Sequence, residues 1–159
     1  MLEVPLGSSG QLLVVQDSVL HRLDSYRQTK PWHREAGGQL FARVSPLEIS
    51  ICEATGPRPT DKRTRHRYQP DREAEQIEIV ERHRRRIQYV GDWHTHPERV
   101  PHSSGTDCCS ISDCFAKSDH SLNAFLLFIV GNGRLPRSLH ISLHDRNGFL
   151  ADLTPSIRR

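Results

Sequence analysis

Between residues 91 and 107 the chain reads Gly-Asp-Trp-His94-Thr-His96-Pro97 and then, after a short gap, Ser104-Gly-Thr-Asp107. Two imidazoles two residues apart, with a carboxylate eleven residues beyond the second, form a metal-ligand set of the kind that holds zinc. If His94 and His96 lie on a strand, its period of two throws both rings to one face and turns Trp93 and Thr95 to the other. Pro97 has no N–H to give to a ladder and ends the strand. Three protein ligands leave one position of a tetrahedral zinc open to water, which is the arrangement of a catalytic site rather than a structural one. A metal held this way activates water and polarises a carbonyl, the logic of metal-assisted hydrolysis. That chemistry needs a general base, and spacing alone does not choose it among nine glutamates. Ser104-x-x-Asp107 ahead of an apolar-periodic segment also reads as the opening of a capped helix.

Size and composition bound the setting of such a site. The 159 residues favour one domain, residues 1–159, with a substantial core. A net charge of +3 is mild, and nothing in it argues for a nucleic-acid partner. The longest apolar run, Ala124 to Val130, is too short to span a bilayer, and the N-terminus lacks a signal pattern, so the expectation is a cytoplasmic protein without a membrane partner. Four cysteines, two of them adjacent, fit reduced thiols better than a disulfide framework. Cys108 and Cys109 follow Asp107 directly, but apolar spacing makes Cys108 a small core residue, and no C-x-x-C knuckle exists.

The elements that must position these residues follow from periodicity. Gln11 to Val15 reads as a strand, followed by a helix capped by Asp17 or Ser18 with Val19, Leu20, Leu23 and Tyr26 on one face. Glu35 precedes two glycines at a strand entrance, where close approach of another backbone or a ligand is expected. A turn at Ser45-Pro46 joins that strand to Leu47–Ile51. Residues 56–70 have no apolar period and read either as a flap or groove wall over the site or as a solvated basic loop. Asp71 opens a helix with Ala74, Ile77 and Val80 on one face, acidic residues first and arginines last, an order that complements its dipole. Residues 87–95 deliver the histidines on a strand, and Cys108, Ile111 and Phe115 mark the next helix. Ala124–Val130 is a buried central strand, and two further strands close the chain. An α/β domain with a central mixed sheet flanked by helices on both sides fits this order.

Glu35-Ala-Gly-Gly-Gln-Leu, His94-x-His96-Pro97 and Ser104-x-x-Asp107 together resemble the JAB/MPN metalloproteases, whose motif is called JAMM. The resemblance implies an MPN domain of cytidine-deaminase-like architecture. It implies that His94, His96 and Asp107 are zinc ligands, that Glu35 is the acid/base, and that Ser104 stabilises the oxyanion. His102 lies between the ligands and is extra to the motif. The Trp-His-Thr-His-Pro wording and the Glu-x-Gly-Gly before it resemble the short bacterial branch, especially deconjugating peptidases of anti-phage CBASS operons. A zinc isopeptidase or endopeptidase follows, cutting after the C-terminus of a modifier or of a cyclic-nucleotide synthase. Two other readings share the residues: a non-catalytic MPN-like scaffold, and a hydrolase that processes a sulfur-carrier or ubiquitin-like protein. A zinc deaminase is disfavoured, since its His-x-Glu and Pro-Cys-x-x-Cys signature is absent.

Overall fold

Phe125–Val130 is buried residue by residue on both sides, so the strand it forms must be covered by a layer on each face. The computed structural model describes residues 1–154 and supplies those layers. In chain order the elements are β1 (Leu2–Pro5), β2 (Leu12–Val15), α1 (Asp17–Ser25), β3 (Gly37–Val44), β4 (Glu48–Ala54), β5 (Lys62–Arg63) and β6 (Tyr68–Gln69). Then follow α2 (Arg72–Arg84), β7 (Gln88–Thr95), α3 (Gly105–Lys117), β8 (Phe125–Val130), β9 (Leu139–Asp145) and β10 (Gly148–Asp152). Eight strands form one mixed sheet in the order β1-β2-β4-β3-β7-β8-β9-β10, while β5 and β6 pair apart from it. The β2–β4 and β7–β8 pairs are parallel and the others antiparallel. Among the described residues no helix is long and apolar enough to cross a membrane.

Alternation on β8 sorts the two cores. Leu126, Phe128 and Val130 point to the α1 side, where Val19 and Leu23 meet Leu13, Leu40, Ile51 and Trp93. Phe125, Leu127 and Ile129 point the other way, onto Ile111 and Phe115 of α3. On β7 the alternation slips by one residue, because the β3–β7 register jumps between Leu40–Gly91 and Phe41–Tyr89. Gly91 absorbs the bulge at φ 152°, and a Cβ there would lie 1.9 Å from the Leu126 carbonyl oxygen. As a result Val90 and Trp93 enter the α1-side core. Asp92 and His94, two residues apart, share the opposite face.

Three expectations from sequence need correction. Ile77 and Val80 of α2 are exposed, at 68% and 43%, and the residue that α2 buries is Glu75. Long-range ion pairs set the rotation of this helix: Arg58 Nη2–Glu78 at 2.5 Å and Arg82 Nε–Glu53 at 2.8 Å. Those pairs override an apolar stripe of only three residues. Helix α1 starts one residue earlier than its capping signal suggests, with Gln16 at the N-cap and no side-chain cap bond. Cys108 is half-buried with its thiol toward Ser103 Oγ at 3.5 Å; Cys114 is the cysteine that packs against the α3-side core. All four cysteines are free thiols, and β1, which carries no strong pattern of its own, pairs along β2.

Candidate metal centre

His94 sits on β7 opposite Gly37 of β3 and Ile129 of β8. The His96 N–H donates to the Val130 carbonyl at 2.9 Å, so the chain stays extended one residue past the strand. Both rings therefore project from one face, with centroids 5.0 Å apart. Asp107 is brought to them by the first turn of α3. Ser104 Oγ accepts the Asp107 N–H at 3.1 Å, and Asp107 Oδ2 accepts the Ser104 N–H at 2.8 Å, a reciprocal capping box. The helix-start reading and the ligand reading thus describe the same carboxylate.

Three side chains converge: His94 Nε2 lies 3.1 Å from Asp107 Oδ1, His96 Nε2 lies 3.4 Å from Asp107 Oδ2, and the two Nε2 atoms are 3.2 Å apart. In a tetrahedral zinc site with bonds of about 2.0–2.1 Å, adjacent ligand atoms are about 3.3 Å apart. Donor chemistry and spacing both fit that metal, and among the described residues this is the only such His, Cys and carboxylate group. Burial works against the Asp107 charge, but hydrogen bonds with His94 and His96 outweigh it and hold the carboxyl well below the usual range. Burial likewise disfavours the His96 imidazolium, and Asp107 more than restores it.

Glu35, two residues ahead of β3, faces the same cleft. Its side chain makes no hydrogen bond among the described residues, and it lines the cleft with His94, His96, Ser104 and Asp107. It is 6% exposed; burial pushes its carboxyl pKa up, with His94 and His96 opposing. The backbone on both sides of this carboxylate is gripped. The Glu35 N–H donates to the Thr64 carbonyl at 2.7 Å, and the Glu35 carbonyl accepts from Arg63 Nε at 2.6 Å. Ala36 and Thr95 bond reciprocally at 2.9 and 2.8 Å, tying the segment to β7. Thr95 Oγ1 then donates to Gln28 Oε1 at 2.8 Å, and Gln28 Nε2 to the Arg65 carbonyl at 2.8 Å.

The segment 56–70 is therefore a fixed wall and carries the small hairpin β5–β6. Tyr68 lies on Gly37, where a Cβ would fall 2.5 Å from its ring. A carboxylate with no exposed surface, Asp61, accepts from Tyr68 Oη, the Arg58 N–H and the Asp71 N–H, each at 2.8 Å. The cleft, about 700 Å³, runs between residues 66–70 and the first turns of α2 and α3. Its deeper end holds a second group that periodicity alone does not single out. Asp92 accepts from Tyr89 Oη at 2.8 Å, and Glu75 pairs with Arg72 at 3.0 Å. Burial, with the Asp92 charge adding, pushes the Glu75 carboxyl up to about 7. The available signal was Asp92's place two residues before His94 on one strand. His102 is exposed, and Cys109 is exposed outside the ligand group.

A profile of the prokaryotic homologs of the JAB domain matches residues 19–141. The chain is 33% identical over 98 residues to a CD-NTase/cGAS isopeptidase of Escherichia coli, an alignment covering 60% of this chain and 63% of that one. It is 34% identical over 125 residues to the Vibrio cholerae protein of the same name, covering 76% of each. A probable metalloprotease of Sinorhizobium fredii is 34% identical over 92 residues, covering 55% of each. The chain thus spans less than two thirds of the Escherichia coli relative. In fold, it is similar to the solution structure of a Desulfitobacterium hafniense protein, with a TM-score of 0.61 at 15% identity over 88% of both chains.

Proposed function

This chain belongs to the prokaryotic JAB-domain family, and from that premise we propose that it is a zinc-dependent isopeptidase of JAMM type. The observation that carries the reading is the convergence of His94, His96 and Asp107 at zinc-ligand spacing in a cleft that also holds Glu35. His94, His96 and Asp107 hold the metal. When bound, zinc supplies a Lewis acid that lowers the pKa of a water and polarises the scissile carbonyl. Glu35 takes a proton from the attacking water and passes it to the leaving amine, a transfer that needs a carboxylate free of other partners and held still. Its backbone grip provides the second condition. Ser104 Oγ accepts from the Asp107 N–H, which leaves its own O–H free to donate toward the developing oxyanion.

The substrate we infer is a protein conjugate whose C-terminal tail lies along the cleft wall of residues 66–70. The relatives named CD-NTase/cGAS isopeptidase support a cyclic-nucleotide synthase as the owner of that tail, and with it a role in anti-phage defence. We infer a cytoplasmic reaction, a reading supported by four free thiols of the kind that a reducing compartment maintains. The test is a fusion of a fluorescent tag to the C-terminus of a cyclic-nucleotide synthase of the kind that the relatives' name points to. Purified protein is expected to contain about one zinc and to release the tag. Chelation or Glu35→Gln stops release, and undiminished cutting by the Gln variant overturns the mechanism. Tight binding of the synthase with no cutting by a zinc-loaded wild type would favour a non-catalytic scaffold.

A further inference from the structure

The mouth of the cleft is framed by cations without counter-charges. Residues 28–36 and 62–69 carry Lys30, Arg34, Lys62, Arg63, Arg65 and Arg67, and the only carboxylate in these two segments, Glu35, is buried. Several arginines of α2, its C-cap and the loop base are paired locally, Arg58 with Glu78 and Asp61, Arg82 and Arg85 with Glu53, and Arg72 with Glu75, whereas Arg84 at the far end of α2 forms no ion pair among the described residues. Lys30, Arg34, Lys62, Arg65 and Arg67 form no ion pair among the described residues.

The two segments make one surface. Arg65 Nη1 donates to the Lys30 and Pro31 carbonyls at 3.1 and 2.8 Å, and Gln28 Nε2 bridges the Arg65 and His33 carbonyls at 2.8 and 3.3 Å. Burial and the neighbouring Arg34 guanidinium both disfavour the Arg63 charge, so the cations lie close enough to feel one another. In their midst Trp32 is 74% exposed, with Lys30 Nζ 5.8 Å from its ring centroid. Beyond the Lys30 cation and the edge of His33, this large indole leaves most of its surface uncovered in the isolated chain. Trp, Tyr and Arg are the side chains enriched among the few interface residues that carry most of the binding energy. Arg67 and His66 line the cleft itself, so the surface runs into it without a break.

We propose that this platform docks an acidic face of the folded protein whose tail enters the cleft, with Trp32 as its apolar anchor. The proposal rests on the isopeptidase reading and adds to it a second, non-catalytic recognition surface. Charge complementarity of this kind raises the encounter rate and discriminates between partners, and it weakens steeply with salt. A single-stranded nucleic acid is disfavoured because it is held on several stacking rings along a groove, and the platform offers one indole already faced by Lys30.

The test compares the folded synthase–tag conjugate with a free peptide of the same C-terminal sequence and tag. The variants are Lys30→Glu/Arg34→Glu/Lys62→Glu and, separately, Trp32→Ala; all these positions are exposed and clear of the cleft lining. For the folded conjugate, KM is expected to rise roughly tenfold in the charge-reversed variant and severalfold for Trp32→Ala. For the wild type, KM should rise between about 0.05 and 0.3 M salt, and the reversed variant should lose that dependence. Equal KM changes on conjugate and peptide, or no change on either, overturn the platform. Binding is read in parallel by titrating the synthase onto the Glu35→Gln chain with and without the charge reversals. If the wild type cuts neither substrate yet this binding is lost on reversal, the isopeptidase reading fails while the docking surface stands. Tighter binding of a DNA or RNA oligonucleotide than of the synthase overturns it in favour of nucleic acid.

Discussion

Replacing Asp61 by Ala removes the carboxylate on which the 56–70 segment hangs. Three donors, the Arg58 and Asp71 N–H groups and Tyr68 Oη, lose an acceptor at 2.8 Å, and the side chain they surround has no exposed surface. A buried donor left unsatisfied costs about 1–3 kcal/mol, but water entering the cavity recovers part of it, so a total of about 3–5 kcal/mol is expected. That is a large share of the ~5–15 kcal/mol that typically holds a domain together. The loss is not confined to the loop, because Asp71 is the N-cap of α2 and accepts from the Glu73 and Ala74 N–H groups. Urea denaturation of wild type, Asp61→Asn and Asp61→Ala measures it. Asn retains one acceptor oxygen and turns an N–H₂ toward the remaining donors, so it is expected to lose about half as much as Ala. A loss below about 1 kcal/mol for the Ala variant would refute the idea that this carboxylate organises the wall. So would an Asn variant as stable as wild type.

Arg63→Gln removes the donor to the Glu35 carbonyl; kcat is expected to fall roughly tenfold with zinc content unchanged, and a kcat within twofold of wild type argues against positioning through this bond. Gly37→Ala puts a methyl against the Tyr68 ring and 2.7 Å from the Trp93 carbonyl oxygen, so it should raise KM for the conjugate and cost about 1–3 kcal/mol of stability, read as a lower urea midpoint. Asp107→Asn should lose zinc, measured by atomic absorption, while keeping an oxygen for the Ser104 N–H. Asp107→Ala should lose the metal and in addition about 1 kcal/mol of helix capping, read by thermal melting. Glu75 faces Asp92 on β7, Arg72 on its own helix and Arg58 from the loop, and its carboxyl is raised from 4.5 to about 7. Between those values the folded chain holds a proton that the unfolded chain has released, so stability falls as pH rises through the window, by about 3 kcal/mol at most. Glu75→Gln should therefore raise Tm at about pH 8 and change it little near pH 5.

The clustering of His94, His96 and Asp107 was legible because its geometry is local. A period of two orients His94 and His96, and a capping box places Asp107, so the chain between residues 91 and 107 carries the information itself. The buried strand at 125–130 was legible for the same reason, its continuous apolar run needing no partner to be recognised. Glu35 was different: nothing in its neighbourhood marks it, and only the family resemblance singled it out, because its place depends on Thr64, Arg63 and Thr95 meeting it in space. The buried face of α2 misled for a related reason. Ile77 and Val80 read as a core stripe, while Arg58 and Glu53, residues far off in sequence, decide which way the helix turns. The hairpin β5–β6 has two-residue strands and no apolar alternation, so its order comes from contacts distant in sequence: Asp61, Tyr68 and Gly37 at its base, and Glu35, Gln28 and Lys30 against its tip.

The split origin of the centre has a consequence for how the molecule is assembled. His94, His96 and Asp107 are joined by one short stretch of chain, so β7 and the first turn of α3 suffice to bring the three donors together. Glu35 reaches them only when a hairpin more than twenty-five residues downstream of it has folded back and seized its backbone. Contacts of long sequence separation form at greater entropic cost than local ones. On the proposed isopeptidase reading, metal loading and hydrolytic competence are then expected to be separable states of the same polypeptide, the local centre forming before the long-range one. A nick in the exposed tip at His66–Arg67 is expected to strip the second and spare the first.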